Sequence, residues 1–188
     1  MGKDVFIHPR AIVETEAIGA DTKIWAFAHV LNGACIGSNC NICDHTFIEQ
    51  DVIIGDNVTV KCGVQLWNGL RVGDNVFIGP NATFTNDLRP RSKQYPDHFP
   101  QTTINTGASI GANATIICGV TVGQWAMIGA GSVVTANVGD FTLVYGNPAR
   151  FGGYICQCSR KLVFTNNSAV CNCGKKYKLS NDQVTQVS

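Results

Sequence analysis

The sequence predicts an all-β chain wound as a three-walled parallel coil, a triangular prism, and three observations carry that prediction. Bulky apolar residues recur at every sixth place: Phe6, Ile12, Ile18, Ile24, Val30, Ile36, Ile42, Ile48, Ile54, Val60, Leu66, Val72, Ile78 and Phe84, then again at Ile110, Ile116, Val122, Ile128 and Val134. Glycines recur at every eighteenth: Gly19, Gly37, Gly55 and Gly73, and later Gly111 and Gly129. The composition favours strands over helices, with 19 Val and 16 Ile against 7 Leu and 3 Glu.

A six-residue period matches neither the 3.6-residue period of a helix nor the plain two-residue alternation of a strand. It fits a short strand followed by a corner. Three such hexads between successive glycines make one turn, and a unit this small buries its apolar side only by stacking on its neighbours. Glycine at one corner in three predicts a positive φ at the sharpest edge, with Asp56-Asn57, Asp74-Asn75 and Asn113 supplying turn chemistry nearby. Residues 6–84 and 110–139 together make a column of about six layers, each rising roughly 4.8 Å. Val58, Val76, Ala82, Ala114 and Ala126, two places before a repeat position, should turn inward beside it.

From Phe84 to Ile110 is 26 residues where one hexad needs 6, an excess of about 20. The segment NDLRPRSKQYPDHFPQTTIN holds three of the six prolines and reads as an inserted loop over about 86–105. A long, aromatic and charged insertion in a repeat array points to function more than to a solvated excursion. The coil is assigned to residues 1–150, and a small cysteine-rich hairpin appendage to 151–188.

Fourteen basic against thirteen acidic residues leave a net charge of +1, with only 14% of residues charged. That balance lacks the basic footprint of a nucleic-acid partner or an anionic-membrane binder. No apolar run approaches the ~18 residues of a membrane span, and MGKDVFIHPR has no apolar signal region, so a cytoplasmic location is expected.

The hexads IGDNVT, IGPNAT, IGANAT and IGAGSV, followed by VVTANVGDFTLVYGNPAR, resemble the hexapeptide-repeat acyltransferases. The resemblance implies a left-handed parallel β-helix, a hand opposite to the usual crossover preference. It also implies acetyl-CoA as co-substrate and a homotrimer with sites between subunits. A narrower resemblance lies in IEQDVIIGDNVTVKCGVQLWNGLRVGDNVFIGPNATFTNDLRPRSKQYPDHF. This stretch is similar to the N-acetyltransferases of dTDP-linked 3-amino-3,6-dideoxyhexoses and, around Gln65, Trp67 and Asn68, less so to those of UDP-linked 3-amino sugars. The activity so implied is acetyl transfer to a sugar 3-amino group by direct amine attack, on the way to a surface glycan such as lipopolysaccharide or an S-layer glycan. A UDP-linked amino sugar and a sugar hydroxyl are the alternative acceptors. A γ-type carbonic anhydrase would need three well-placed histidines, and the long loop and GNPAR count against a non-enzymatic β-helix.

An amine with a pKa of about 7.7 to 8.0 is partly neutral near pH 7 and can do without a strong base. A hydroxyl acceptor needs one, most often histidine. Of the four histidines, His8 before Pro9 and His98 in the loop read as surface residues, while His29 and His45, at different hexad phases, read equally as substrate-binding or structural. The resemblance puts the asparagine of Phe-Thr-Asn beside the sugar amine, which makes Asn86 and its neighbour Asp87 the catalytic candidates: the amide positions the amine, and the carboxylate holds a hydroxyl or collects the proton. Asn-Asp is also a common start to a turn.

Glu49 and Gln65 join the substrate side. Arg91 and Lys93 either meet the nucleotide diphosphate or form a solvated basic pair. Trp67 and Tyr95 either flank the base or sugar or pack against a neighbouring subunit. For the cofactor, the resemblance offers Gly111, Gly129 and Ala130 to the pantetheine, and Asn147, Pro148 and Arg150 of GNPAR, with Arg150 meeting a CoA phosphate; alternatively Pro148 only stops the coil.

Nine cysteines in a reducing compartment point to thiols or metal rather than disulfides. Cys35, Cys40, Cys43, Cys62 and Cys118 form no ligand pattern. Cys156-Gln157-Cys158, then twelve residues, then Cys171-Asn172-Cys173, is a symmetric pair of pairs able to hold a structural zinc, with Lys175, Lys176 and Lys178 offsetting charge. C-x₂-C is the commoner zinc spacing, and the alternative is a reduced hairpin built from KLVFTN and KKYKLS.

Overall fold

The computed structural model describes residues 4–187, which contain strands, turns and no helix. Strands of two or three residues alternate with corners through Val134, and they pair in parallel with partners eighteen residues apart except in the first coil and across the long insertion. On the first wall Lys23, Asn41, Thr59 and Phe77 stack in register; on the second, His29, Phe47, Gln65 and Thr83; on the third, Cys35, Ile53 and Arg71. The architecture is the expected left-handed parallel β-helix. It is taller than the six layers expected: the first wall has eight parallel strands, ending with Thr142–Tyr145 on Met127–Ile128.

Inward positions form one continuous core, in which Ile24, Ile42, Ile78, Ile110 and Ile128 on the first wall are buried to within 1%. Val58, Val76, Ala82, Ala114 and Ala126 are buried beside them as expected. The frame slips at the first coil. Phe6 pairs with the outward Lys23 and Ile12 with the outward His29, so Ile7 and Val13 take the inward places. This coil is one residue short, and a one-residue shift swaps the faces of a strand.

The recurring glycines serve a different purpose from the one the sequence suggested. Gly19, Gly37, Gly55 and Gly73 do not have positive φ; Asp21, Asn39, Asn57 and Asn75, two places on, take it at 55–62°, as short polar side chains tolerate best. The glycines are there because the coils touch. A Cβ on Gly37 would lie 2.5 Å from both Asp56 Oδ1 and the Gly55 carbonyl carbon. The carboxylates that crowd this corner tie it together: Asp56 Oδ1 accepts from Ser38 N–H at 2.6 Å and Asp74 Oδ1 from Asp56 N–H at 2.8 Å. Gly37→Ala is therefore expected to cost about 1–3 kcal/mol by overpacking, read as a lowered Tm by circular dichroism; an unchanged Tm would mean that the coils spread freely.

The long excursion leaves the second wall at Thr83–Phe84 and rejoins the third at Thr102–Ile104. Val72 pairs with Ile104, an offset of 32, so the insertion adds 32 − 18 = 14 residues to a normal turn. The array resumes one hexad earlier than Ile110, and the loop spans 85–101 rather than about 86–105.

Beyond Tyr145 the chain reverses through a cis Asn147–Pro148 bond, and Arg150–Ile155 runs back antiparallel along the last coil. Lys161–Leu162 pairs with that strand, whereas Ser168–Val170, Lys176–Ser180 and Gln183–Val187 form an antiparallel meander. KLVFTN and KKYKLS therefore belong to different sheets, not to one hairpin. Leu162, Ala169, Tyr177 and Val184 make a second small core with Phe141 from the last corner of the coil.

Candidate functional site

Glu49 and Trp67 occupy the same corner in successive coils, eighteen residues apart, and the long loop springs from that corner one coil higher. Both residues join Asn86, Asp87, Arg91 and Tyr95 around an open cleft of about 320 Å³, together with Pro90, Gln94 and Phe99. Its floor is stitched to the coil below. Asn68 N–H donates to Glu49 Oε2 at 2.6 Å, Gly69 N–H to Asp51 Oδ2 at 3.0 Å, and Asp51 N–H to Asn68 Oδ1 at 3.0 Å. Arg71 closes the corner with an ion pair to Asp51 at 2.8 Å. Charge-assisted bonds of this kind hold a side chain more firmly than neutral ones, and here they aim Glu49 and set the backbone beside Trp67. The Trp67 ring also packs on Phe47, centroid to centroid 5.4 Å.

Asn86 is half-buried, and among the described residues its amide has no hydrogen-bond partner, which leaves it available to a ligand. Asp87 uses Oδ1 to accept from Arg89 N–H at 2.8 Å, so the turn reading holds for one of its oxygens. Tyr95 is 81% exposed.

Four of the substrate-side candidates lie elsewhere. His29 faces out from the second wall two coils below, its Nε2 2.9 Å from Glu14 Oε1; bonds from His29 and from Asn32 N–H hold the Glu14 carboxyl below the usual carboxylate range. His45 stacks on Phe27 at another corner, 5.0 Å between centroids. Gln65 turns back to the Gly63 carbonyl at 3.0 Å. Lys93 sits at the positive-φ position of the exposed Arg91–Gln94 turn. The other two histidines have local settings: His8 Nδ1 accepts from Arg10 N–H at 3.1 Å, and His98 lines a separate cavity of about 250 Å³ with Asp51, Asn68 and Asp97.

The cofactor candidates divide between two places. Gly111, Gly129 and Ala130 line a shallow apolar cleft of about 330 Å³ with Phe77 and Met127. Gly146 of GNPAR sits directly above them, bonded to Ser132 and Val133, with Asn147 and Pro148 exposed on the turn that follows. Arg150 instead lines a cavity of about 440 Å³ between the last coil and the appendage, with Phe151, Tyr154 and Asp182. The Asn86 cleft is at the corner of the second and third walls, and Gly111 and Gly129 are at the corner of the first and second. One wall separates the two groups.

Sequence reasoning passed over Asp51, Gln94 and Phe99. Asp51 was within reach, since it stands eighteen residues before Gly69. Gln94 and Phe99 lie on an inserted path that the repeat does not define. The tail cysteines Cys156, Cys158, Cys171 and Cys173 converge, all four Sγ atoms within 4.8 Å of one another, and among the described residues no other His, Cys, Asp or Glu cluster of metal-binding shape occurs.

The bacterial transferase hexapeptide (six repeats) pattern matches residues 17–50 and 51–86, and the hexapeptide repeat of succinyl-transferase matches 101–136. Over 182 residues the chain is 59% identical to dTDP-3-amino-3,6-dideoxy-alpha-D-galactopyranose 3-N-acetyltransferase of Aneurinibacillus thermoaerophilus, spanning 97% of this chain and 95% of that one. A hexapeptide-repeat acetyltransferase of Vibrio cholerae O1 biovar eltor, solved with acetyl coenzyme A, is 30% identical with a TM-score of 0.51, covering 64% of this chain and 67% of that one. PerB of Caulobacter crescentus, solved with CoA and GDP-perosamine, shares the fold at TM-score 0.51 and 23% identity over 81% of this chain and 58% of that one.

Proposed function

The chain belongs to the bacterial hexapeptide-repeat transferases, and from that membership we propose that it moves acetyl from acetyl-CoA to the 3-amino group of a dTDP-linked 3-amino-3,6-dideoxyhexose. The full-length likeness to an enzyme named for that reaction carries the proposal. The cleft supports it chemically, since it offers two amides and two carboxylates and is lined by no histidine. That donor set suits an amine, which needs to be held more than deprotonated.

Acetyl-CoA supplies the activated acyl thioester. In the cleft the Asn86 amide oxygen accepts from the acceptor amine and orients its lone pair, while Glu49 and the open oxygen of Asp87 take hydrogen bonds from the amine or from sugar hydroxyls. Asp87 also stands where the proton released on acylation can be received. Arg91 faces the same cleft, and we assign it to the diphosphate, with Trp67 and Tyr95 against the base or sugar. The cofactor side is assigned to the Gly111, Gly129 and Ala130 cleft and to Asn147 and Pro148, with Arg150 at a CoA phosphate.

Because the two sides lie on different corners of one prism, we place the working site where the corner of one copy meets that of the next, in a homotrimer. The exposed loop carrying Tyr95 fits such a contact. We place the enzyme in the cytoplasm, in the supply of a surface glycan; among the described residues no helix is long and apolar enough to cross a membrane.

The test is a panel of dTDP- and UDP-linked 3-amino, 4-amino and 3-hydroxy sugars, in both C4 epimers, with CoA release as the readout. The dTDP 3-amino acceptor should lead its UDP counterpart by about tenfold or more in kcat/KM, the scale set by the base methyl that UDP lacks, with the ribose 2′-hydroxyl that UDP adds as a second point of discrimination. A preference for UDP, or for a hydroxyl, would reject the proposal.

A further inference from the structure

We propose that the appendage holds a structural zinc ion on Cys156, Cys158, Cys171 and Cys173, whose sulfur atoms all lie within 4.8 Å of one another. The Sγ atoms of Cys156 and Cys173 are 3.5 Å apart, as are those of Cys158 and Cys171. Disulfide sulfurs bond at about 2.05 Å, whereas four thiolates around a tetrahedral zinc at about 2.3 Å stand roughly 3.8 Å from one another. The close pairs run between the two cysteine turns, as a shared centre requires.

The turns themselves are copies of one device. CQCSRK and CNCGKK follow one pattern, and the backbone repeats it. Cys156 N–H donates to Arg160 O at 2.8 Å and Cys171 N–H to Lys175 O at 2.9 Å; Ser159 N–H donates to Cys156 O and Gly174 N–H to Cys171 O, both at 2.8 Å. Ser159 and Gly174 occupy the same positive-φ position, at 67° and 88°. Each five-residue turn thus presents two sulfurs to the same point, which accounts for C-x-C in place of C-x₂-C.

The surroundings suit a thiolate centre of net negative charge. The Tyr177 hydroxyl lies 3.1 Å from Cys156 Sγ, placed to donate to it as outer partners of metal ligands do, and Arg160, Lys161, Lys175 and Lys176 flank the two turns. A meander this small buries too little apolar surface to be secure alone, and such scaffolds commonly rely on a metal or disulfides. The ion has no part in acetyl transfer. It anchors the far end of Arg150–Ile155, the strand that carries Arg150 along the last coil.

Metal analysis of the full chain, purified without chelator or a metal-affinity column, should find about one zinc per chain. Exchange with cobalt should give the intense visible absorption of a tetrahedral tetrathiolate site. Cys156→Ser/Cys171→Ser should hold no zinc, and Cys62→Ser should keep it. Since the double variant can also lose zinc through collapse of the appendage, the wild-type readings decide: no metal, iron in place of zinc, or two disulfides found by thiol counting and mass would each overturn the assignment, whatever the acceptor specificity proves to be.

Discussion

Ile54→Asp is expected to leave no stably folded protein. Ile54 is 3% exposed on the third wall, paired in register with Ile36 below and Val72 above, and nothing in that stack can partner a carboxylate. An unpaired buried charge costs about 4–5 kcal/mol or more, comparable with the roughly 5–15 kcal/mol that holds a whole domain together. In a quasi-linear array each coil is supported only by its neighbours, so the loss spreads to the layers on both sides. Ile53→Asp is the control. That residue precedes Ile54 in the same strand but points outward and is 47% exposed, so its cost should stay within about 0.5–1 kcal/mol. Soluble yield and thermal denaturation by circular dichroism compare the two; equal behaviour would refute the assigned inward face.

Asn86→Ala is expected to lower kcat by about 10²-fold, the scale of a reacting group no longer held in attack geometry, with little change in Tm. The stability expectation follows from the structure, because among the described residues the Asn86 amide makes no hydrogen bond that the fold would miss. Steady-state kinetics with the dTDP 3-amino acceptor reads the first effect and a melting curve the second. Unchanged turnover would remove Asn86 from the reaction and leave Glu49 and Asp87 as the groups that hold the amine.

The wall positions were legible in the sequence because the repeat is nearly invariant from Ile18 onward. It failed at the first coil for a physical reason: Phe6-Ile7 and Ile12-Val13 each offer two adjacent apolar residues, so a frame shifted by one looks equally good until the pairing is seen. The glycines misled because absence of a side chain has two uses, and periodicity does not say whether the space is needed for a backbone angle or for the neighbouring coil. Ile104 escaped notice because the insertion hides its phase. The candidate cleft was legible wherever it obeys the period. Glu49 and Trp67 align by their spacing, the next member of that column is Thr85, and Asn86 comes directly after it. Gln65, although it shares that stretch, faces out from the flat wall and bonds back to its own strand. The cysteine pairs were legible as one candidate ligand set, but choosing between that and a simple hairpin needed three dimensions, since the path between them contributes to no repeat.

The excursion at residues 85–101 returns the chain to the level and face it would have reached without it, since Leu70 still pairs with Thr102 and Val72 with Ile104. The scaffold is indifferent to the contents of that segment, and doubling its length would add only about 0.6 kcal/mol in closure entropy. The loop side of the proposed acceptor cleft can therefore be exchanged or lengthened as one cassette, while the columns that carry stability stay as they are.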